Sequence, residues 1–130
     1  MSETQLYNDI LAAHSRGNTR LFRINAGMAY QGRIIEQTPG RLILAPWYPM
    51  RLAAEGISDL LGWTTMAVAG DAGLDRAAIF TAIECKWGRR RPTAEQEAFI
   101  NVVQRAGGRA GVARSVEDAG KILYGWDHTL

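Results

Sequence analysis

Residues 77–105, AAIFTAIECKWGRRRPTAEQEAFINVVQR, decide the fold class of this chain. The first eleven are rich in β-branched and aromatic side chains and end before a glycine, which predicts a strand over 77–87. GRRRP then forms a loop. Thr93 precedes a turn of Glu and Gln side chains and an apolar stripe, which predicts a capped helix that ends at Gly107 and Gly108. A strand that leads into a helix in this way is typical of an α/β protein.

Helical or alternating apolar patterns continue on both sides of this stretch. They predict a helix over 3–15 capped by Ser2, strands over 20–25, 41–46 and 64–70, a hairpin turn at 70–73, a short strand over 109–114, and a last helix capped by Ser115. The strand over 41–46 should end at its proline. The order α-β-β-β-α-β plus a C-terminal helix predicts an α/β fold with a central mixed β-sheet flanked by helices.

Length and charge limit the classes of protein that fit. A chain of 130 residues suits a single domain spanning 1–130. Arginine supplies 13 of the 15 basic residues, and its planar fork of donors fits phosphate oxygens. Arg89, Arg90 and Arg91 form the densest basic cluster, so they are candidate DNA contacts. A solvated loop is the alternative reading of such a run.

The single cysteine, Cys85, excludes an intrachain disulfide and favours a reducing compartment. No stretch approaches the roughly 20 apolar residues of a membrane span. The acidic and polar N-terminal segment is unlike a signal peptide. We therefore expect a soluble cytoplasmic protein with no membrane partner.

The strand over 77–87 carries the first candidate site residues. Side chains alternate between the faces of a strand, so Glu84 and Lys86 share one face. Ile83 and Cys85 belong to the other face, which is continuously apolar and should pack on a helix. A carboxylate and an ammonium two residues apart, just before a basic loop, suit phosphodiester hydrolysis. The alternative is a salt bridge on an exposed strand.

Phosphodiester hydrolysis needs a divalent cation, a nucleophilic water and help for the departing oxygen. Carboxylates are natural ligands for Mg²⁺, and a lysine beside the metal can stabilise charge in the transition state. Asp59 is the best second carboxylate, because Gly56 and Gly62 flank it and allow close approach of the backbone. A helix cap or a turn is the alternative role for Asp59.

Two segments carry a resemblance to a known family: GISDLLG at 56–62, and IFTAIECKWGRRRPTAEQEAFINVVQRAGGRAGVARSVEDAGKIL at 79–123. They resemble the VRR-NUC branch of the PD-(D/E)xK nucleases. The resemblance covers nearly the whole chain and is firmest over 56–123. It implies a restriction-endonuclease-like core and a nuclease that uses Mg²⁺ or Mn²⁺. One departure is Ser58, where the family often has a proline before its aspartate.

The resemblance also assigns roles to residues. It implies that Asp59 and Glu84 bind the metal and that Lys86 is catalytic. The backbone carbonyl between the last two, that of Cys85, would be a further ligand. A glutamine on the following helix, Gln96, would line the site. Glu3, on the first helix, is the candidate for an additional acidic ligand.

Other residues are candidates for contact with DNA. LFRINAGMAYQGR at 21–33 is similar to the family's stretch between first helix and sheet, from which Arg23 and Asn25 would reach DNA. Solvated polar residues at a strand end are the alternative. Four aromatic residues are available for an interface or for base stacking, although we expect most of them to pack in the core: Trp47, Tyr48, Trp63 and Trp126.

The leading expectation is a structure-selective DNA endonuclease that resembles a four-way-junction resolvase. Such an enzyme would act as a homodimer, because a four-way (Holliday) junction presents two equivalent cuts. The resemblance also suggests a phage or bacterial source. The alternatives are a flap or nicking nuclease and a DNA-binding module that never cleaves. Acidic residues that face phosphate argue against the module, because they would repel DNA without a metal.

Overall fold

A computed structural model describes residues 2–25 and 27–125, and the chain divides into two compact units. Residues 1–24 and 55–130 belong to the larger unit, and Asn25–Ala54 form the smaller one. The prediction of a single domain over 1–130 stays a prediction. The elements, in chain order, are α1 Glu3–His14, β1 Thr19–Arg23, β2 Met28–Thr38, β3 Arg41–Arg51, β4 Leu60–Gly70, β5 Gly73–Cys85, α2 Ala94–Arg105, β6 Arg109–Ala113 and α3 Val116–Tyr124.

The larger unit contains a four-stranded sheet in the order β1-β4-β5-β6. The pairs β1–β4 and β4–β5 are antiparallel, and β5–β6 is parallel. Within this unit the chain runs α1-β1-β4-β5-α2-β6-α3, which is the predicted order of elements. The α/β class, the mixed sheet and its flanking helices are therefore confirmed, and they are consistent with a restriction-endonuclease-like fold.

Polar caps define where the three helices begin. The hydroxyl of Ser2 accepts a hydrogen bond from the backbone N–H of Gln5, and that of Ser115 accepts one from Asp118. Thr93 makes the predicted reciprocal capping box at the start of α2. Each cap satisfies N–H groups that have no partner inside the helix. The predicted helix starts are therefore confirmed.

Strand β5 lies at the centre of the core because both of its faces are covered. Ile83 and Cys85 pack in one cluster with Leu6, Ile10 and Leu123 of helices α1 and α3. Ala82, on the opposite face, packs in a second cluster with residues of α2. The apolar face of β5 does pack on helices, as predicted, and the face that carries Glu84 is covered as well.

The hairpin of β4 and β5 is longer than predicted at its outer end. It closes at the predicted turn, where Gly70 pairs with Gly73. Gly62 allows β1 and β4 to approach closely, because a Cβ atom there would lie 1.7 Å from the carbonyl oxygen of Arg20.

Among the described residues, no helix is long and apolar enough to cross a membrane.

The smaller unit is a two-stranded antiparallel hairpin, β2–β3, with register shifts between Gly32 and Ile34 and between Ile34 and Glu36. The prediction that a strand ends at Pro46 is wrong, since β3 continues through Pro46 and Pro49 to Arg51. Each strand of a two-stranded ribbon has one unpaired edge. Proline is tolerated there because its missing N–H breaks no ladder hydrogen bond.

Candidate active site

Asp59 lies directly before β4, and backbone contacts fix its position. Its carbonyl oxygen accepts a hydrogen bond from the N–H of Ile24 at 2.8 Å. The loop ahead of it packs against the start of α2 at Gly56, which has a φ of +86°. A Cβ atom at Gly56 would lie 2.5 Å from the carbonyl oxygen of Glu95. The glycines around Asp59 therefore permit close backbone packing, as the sequence predicted.

The side chain of Asp59 bridges three elements. Its Oδ2 accepts a hydrogen bond from the backbone N–H of Cys85 at 2.8 Å, which joins the start of β4 to the end of β5. Its Oδ1 lies 3.9 Å from Nη1 of Arg23, at the end of β1. Asp59 is thus held beside the peptide that links Glu84 to Lys86, and it caps no helix.

Glu84 and Lys86 form an ion pair that is almost completely buried. Nζ of Lys86 lies 3.6 Å from Oε1 of Glu84, and the two side chains are 9% and 2% exposed. The alternative of a salt bridge on an exposed strand is therefore half right, because the pair forms but the strand end is covered. Oε2 of Glu84 is buried and has no hydrogen-bond partner within the described residues. Such an oxygen is costly to bury in a metal-free fold.

Burial and the negative charge of Asp59 raise the pKa of Glu84 to about 8, although Lys86 opposes the shift. Burial disfavours the charged form most, and the two neighbouring carboxyl groups also resist being charged together. Burial likewise raises the pKa of the Cys85 thiol, so that thiol stays protonated and unreactive. A cation between the carboxylates would remove the repulsion that disfavours the charged form of Glu84.

The donor set suits a hard divalent cation. Asp59 and Glu84 offer carboxylate oxygens, one of them without a partner. Within residues 2–25 and 27–125, no three His, Cys, Asp or Glu side chains group closely enough to hold a metal ion. Two carboxylates are nevertheless enough for Mg²⁺, which keeps several of its waters and takes one or two carboxylates. The residues present therefore fit a partly hydrated ion.

Glu3 reaches the same end of β5 but is engaged there by other groups. Its Oε1 accepts hydrogen bonds from Nη1 of Arg90 at 3.1 Å and from the backbone N–H of Trp87 at 3.4 Å. A metal that used Glu3 would have to compete with Arg90. The role of Glu3 as a ligand stays a prediction.

Gln96 is half-buried in the first turn of α2, where its side chain helps to cap the helix. Its Oε1 accepts a hydrogen bond from the N–H of Thr93 at 2.8 Å. Its own N–H donates to Oγ1 of Thr93 at 3.2 Å. The predicted contribution of Gln96 to the site, like that of the Cys85 carbonyl, stays a prediction.

The three arginines of the loop after β5 are all exposed. Arg90 pairs with Glu3, which sets it apart from Arg89 and Arg91. The residue after β6 also holds this loop: Nη1 of Arg114 donates a hydrogen bond to the carbonyl oxygen of Gly88 at 2.7 Å. Arg114 was not among the predicted site residues. Its position after β6 was the available signal, because β6 is parallel to β5 and parallel strands end at the same edge of a sheet.

Arg23 lies beside the carboxylate pair, and Tyr7 holds it there. Its guanidinium carbon is 4.1 Å from the centre of the Tyr7 ring, a favourable cation–π geometry. Tyr7 was missed, although it lies one helical turn after Glu3 and so shares its face of α1. Asn25 belongs to the smaller unit, and its Oδ1 accepts a hydrogen bond from the N–H of Gly27 at 3.2 Å. Contact of Arg23 or Asn25 with DNA stays a prediction.

Two of the four singled-out aromatic residues are exposed on the β2–β3 hairpin. Trp47 and Tyr48 are 55% and 64% exposed, so the expectation that they pack in a core is wrong for both. Trp63 is 39% exposed and packs beside Phe22 with the two rings tilted by 43° and 5.7 Å between the ring centres. Trp126 lies outside the described residues.

The sequence matches the model of a known protein family. The family model described as the VRR-NUC domain matches residues 2–117 of the 130. That range includes Asp59, Glu84 and Lys86, the whole smaller unit, and all the elements from α1 to β6. A search of curated proteins found no match.

Proposed function

Because this chain belongs to the VRR-NUC family and is therefore a nuclease, we propose that it is a divalent-metal-dependent DNA endonuclease with an active site of Asp59, Glu84 and Lys86. Mg²⁺ or Mn²⁺ is the proposed ion. Glu84 carries the proposal, because its side chain is only 2% exposed and one of its carboxyl oxygens has no hydrogen-bond partner among the residues that the structure describes. A buried carboxyl oxygen without a partner destabilises a protein core, whereas a metal ligand needs such a free oxygen.

Each residue has a distinct role. Asp59 and Glu84 would hold the cation, which when bound offsets charge on the phosphate and lowers the pKa of a bound water. Lys86, held 3.6 Å from Glu84, donates hydrogen bonds to the attacking water and to the phosphate oxygen that gains charge. Water attacks phosphorus and loses a proton to solvent, the bond to the departing deoxyribose oxygen breaks, and that oxygen takes up a proton from solvent.

Basic residues around the carboxylates would guide the DNA backbone. Arg23 lies 3.9 Å from Asp59, close enough to contact a phosphate bound at the metal. Arg89 and Arg91 extend from the loop that follows Lys86. A module that only binds DNA would gain nothing from burying a carboxylate beside these cations, so cleavage is the better reading.

For the substrate we propose branched DNA, with a four-way junction as the leading case. A homodimer would present two sites to two equivalent cuts. In the larger unit, an apolar hollow of about 380 Å³ beside Phe80 and Val102 offers area for such a contact. We place the enzyme in the cytoplasm of a bacterium or of a phage-infected cell, where the thiol of Cys85 stays reduced.

The test is a cleavage panel of labelled duplex, flap, splayed-arm and four-way-junction DNA in Mg²⁺, Mn²⁺ or chelator. We expect cleavage with either ion and none with chelator. Lys86→Ala should lose on the order of a hundred- to a thousandfold in rate, the usual cost of losing one preorganised donor. It should still fold and still shift DNA in a gel with Ca²⁺.

Asp59→Ala is the matched variant, because it should fail for a different reason. Its metal-binding isotherm should weaken, whereas that of Lys86→Ala should not. Full cleavage in chelator would remove the mechanism. Cleavage by Lys86→Ala within about tenfold of wild type would reduce Lys86 to a structural partner of Glu84. Light scattering that shows a monomer with junction cleavage intact would defeat the homodimer.

A further inference from the structure

The β2–β3 hairpin exposes more apolar surface than its own fold requires. None of its described residues is buried, and eight of its large apolar side chains are more than 40% exposed. Scattered exposed apolar residues are normal, but a contiguous apolar face marks a binding surface. The exposed residues are Met28, Tyr30, Ile34, Ile35, Leu42, Trp47, Tyr48 and Met50.

One face of the hairpin has an organised geometry. Tyr30 and Trp47 stand edge to face, with 5.6 Å between their ring centres. Together with Leu42 and Leu44 they line an open hollow of about 490 Å³. We define these four residues as the aromatic hollow. Its size and the flat face of the Trp47 ring suit a planar ring system rather than an aliphatic chain.

The hairpin also carries the whole net charge of the protein. Residues 25–54 contain three arginines and one glutamate, whereas the remaining 100 residues carry twelve basic and twelve acidic side chains. The single glutamate, Glu36, lies 3.9 Å from Arg41. Arg51 shares the strand face of Trp47, because residues four apart on a strand point the same way. The aromatic hollow is therefore set in a positively charged ribbon.

A planar apolar site with cationic surroundings fits an unpaired nucleotide. Bases that are not in a duplex stack on aromatic side chains, while arginines contact the phosphates. Paired bases are already stacked inside the duplex and offer no free face. A second copy of this chain fits less well, since two such hairpins would bring arginines against arginines.

We propose that the aromatic hollow of the β2–β3 hairpin binds an unpaired DNA base, so that the enzyme prefers DNA with a single-stranded segment. The proposal rests on the proposed nuclease function and narrows its substrate class: among branched DNAs it favours flap and splayed-arm forms, which have unpaired bases, over a fully paired four-way junction. Trp47 stacks on the base, Tyr30 contacts the edge of the base, Leu42 and Leu44 close the hollow, and Arg51 contacts the phosphate backbone.

The experiment measures binding without cleavage, by fluorescence anisotropy of a labelled oligothymidine and of a matched blunt duplex in Ca²⁺. We expect Trp47→Ala to weaken binding of the oligothymidine about fivefold or more, since one stacked base contributes about 1–3 kcal/mol. Binding of the duplex should not change. Trp47→Phe should keep most of the affinity, because it keeps an aromatic face.

Tyr48→Ala is the matched control. Tyr48 is the next residue of the same strand and is similarly exposed, but it points to the opposite face of the hairpin. Its substitution should leave oligothymidine binding unchanged. Equal losses in Trp47→Ala and Tyr48→Ala, or no loss in either, would overturn the proposal, as would equal weakening of duplex binding.

Light scattering of the same variants tests the competing occupant. If wild type is a dimer and Trp47→Ala a monomer, the hollow is an interface between copies and the proposal is wrong. The result of this binding test can be distinguished from the result of the test of the nuclease function. Loss of metal-dependent cleavage would leave the binding result intact, and unchanged binding in Trp47→Ala would leave cleavage intact.

Discussion

At the residue scale, the buried carboxyl group of Glu84 lowers the stability of the metal-free protein. Its pKa is raised to about 8, so between roughly pH 4.5 and pH 8 the folded state holds a proton that the unfolded state has released. The contribution of this carboxyl group to the free energy of unfolding is therefore fully present at low pH and is lost as the pH rises toward 8. Binding of the proposed metal would reverse this preference, because a carboxylate ligand must be deprotonated.

We predict that the free energy of unfolding of the metal-free protein falls between pH 5 and pH 8, by on the order of 2–4 kcal/mol. Glu84→Gln should show a flatter profile, because its amide does not ionise, and it should be more stable than wild type at pH 8. It should also be inactive. Urea unfolding at several pH values, with chelator present, measures the stability profiles of both proteins. Identical pH profiles for the two proteins would show that Glu84 ionises freely in the folded state.

The sequence was informative about site residues that lie close together along the chain. Strand alternation places Glu84 and Lys86 on one face, and the flanking glycines single out Asp59. The pairing of Glu3 with Arg90 was not predictable, because the two residues are 87 positions apart. Their meeting depends on how α1 packs against β5, and no local pattern encodes that packing.

At the element scale, contacts with other elements fix the position of the loop after β5, while two of its arginines extend from it. Arg90 is paired with Glu3, and the carbonyl of Gly88 is bound by Arg114. Arg89 and Arg91 extend from this fixed base. Basic side chains on a positioned loop can contact phosphates at a smaller entropic cost than those on a mobile one.

We predict that Arg89→Ala with Arg91→Ala weakens binding to all DNA sequences alike and lowers the slope of log affinity against log salt by about 2, since each phosphate contact contributes about 0.9. Arg90→Ala is the control and should change the slope less, because Glu3 already engages Arg90. Anisotropy titrations in Ca²⁺ at several salt concentrations measure the slopes. A slope unchanged in the double variant would return these arginines to the role of a solvated loop.

The elements that the sequence predicted best are those with local signals. Ser2, Thr93 and Ser115 mark the three helix starts by their capping chemistry. The β2–β3 hairpin was largely missed, because its register shifts interrupt the alternation of apolar and polar residues and its prolines resemble strand ends. The Pro39–Gly40 dipeptide, with Gly40 at a φ of +77°, was an available turn signal.

At the scale of the whole molecule, the two units differ in how they are stabilised. The larger unit has buried clusters on both faces of β5. The described residues of the smaller unit include none that is buried, and a two-stranded hairpin alone is marginally stable in water. Its stability must therefore be low compared with that of the central sheet.

We predict a large difference in hydrogen exchange between the units. Backbone amides of β2 and β3 should exchange through local opening of low free energy, whereas those of β4 and β5 should approach the global free energy of unfolding. Oligothymidine in Ca²⁺ should slow exchange in the hairpin, and β6 serves as the internal reference. Equal protection in β3 and β5 without DNA would mean that the hairpin is stabilised by contacts beyond its own strands.

The hydrogen bond between the backbone N–H of Ile24 and the carbonyl oxygen of Asp59 affects how this protein can evolve. It joins residues on either side of the inserted hairpin, so insertions, deletions and substitutions in 25–54 do not have to displace Asp59 of the proposed site. Selection can then act separately on the two parts. Within a lineage, the hairpin can diverge rapidly, while the proposed site of Asp59, Glu84 and Lys86 remains under strict constraint.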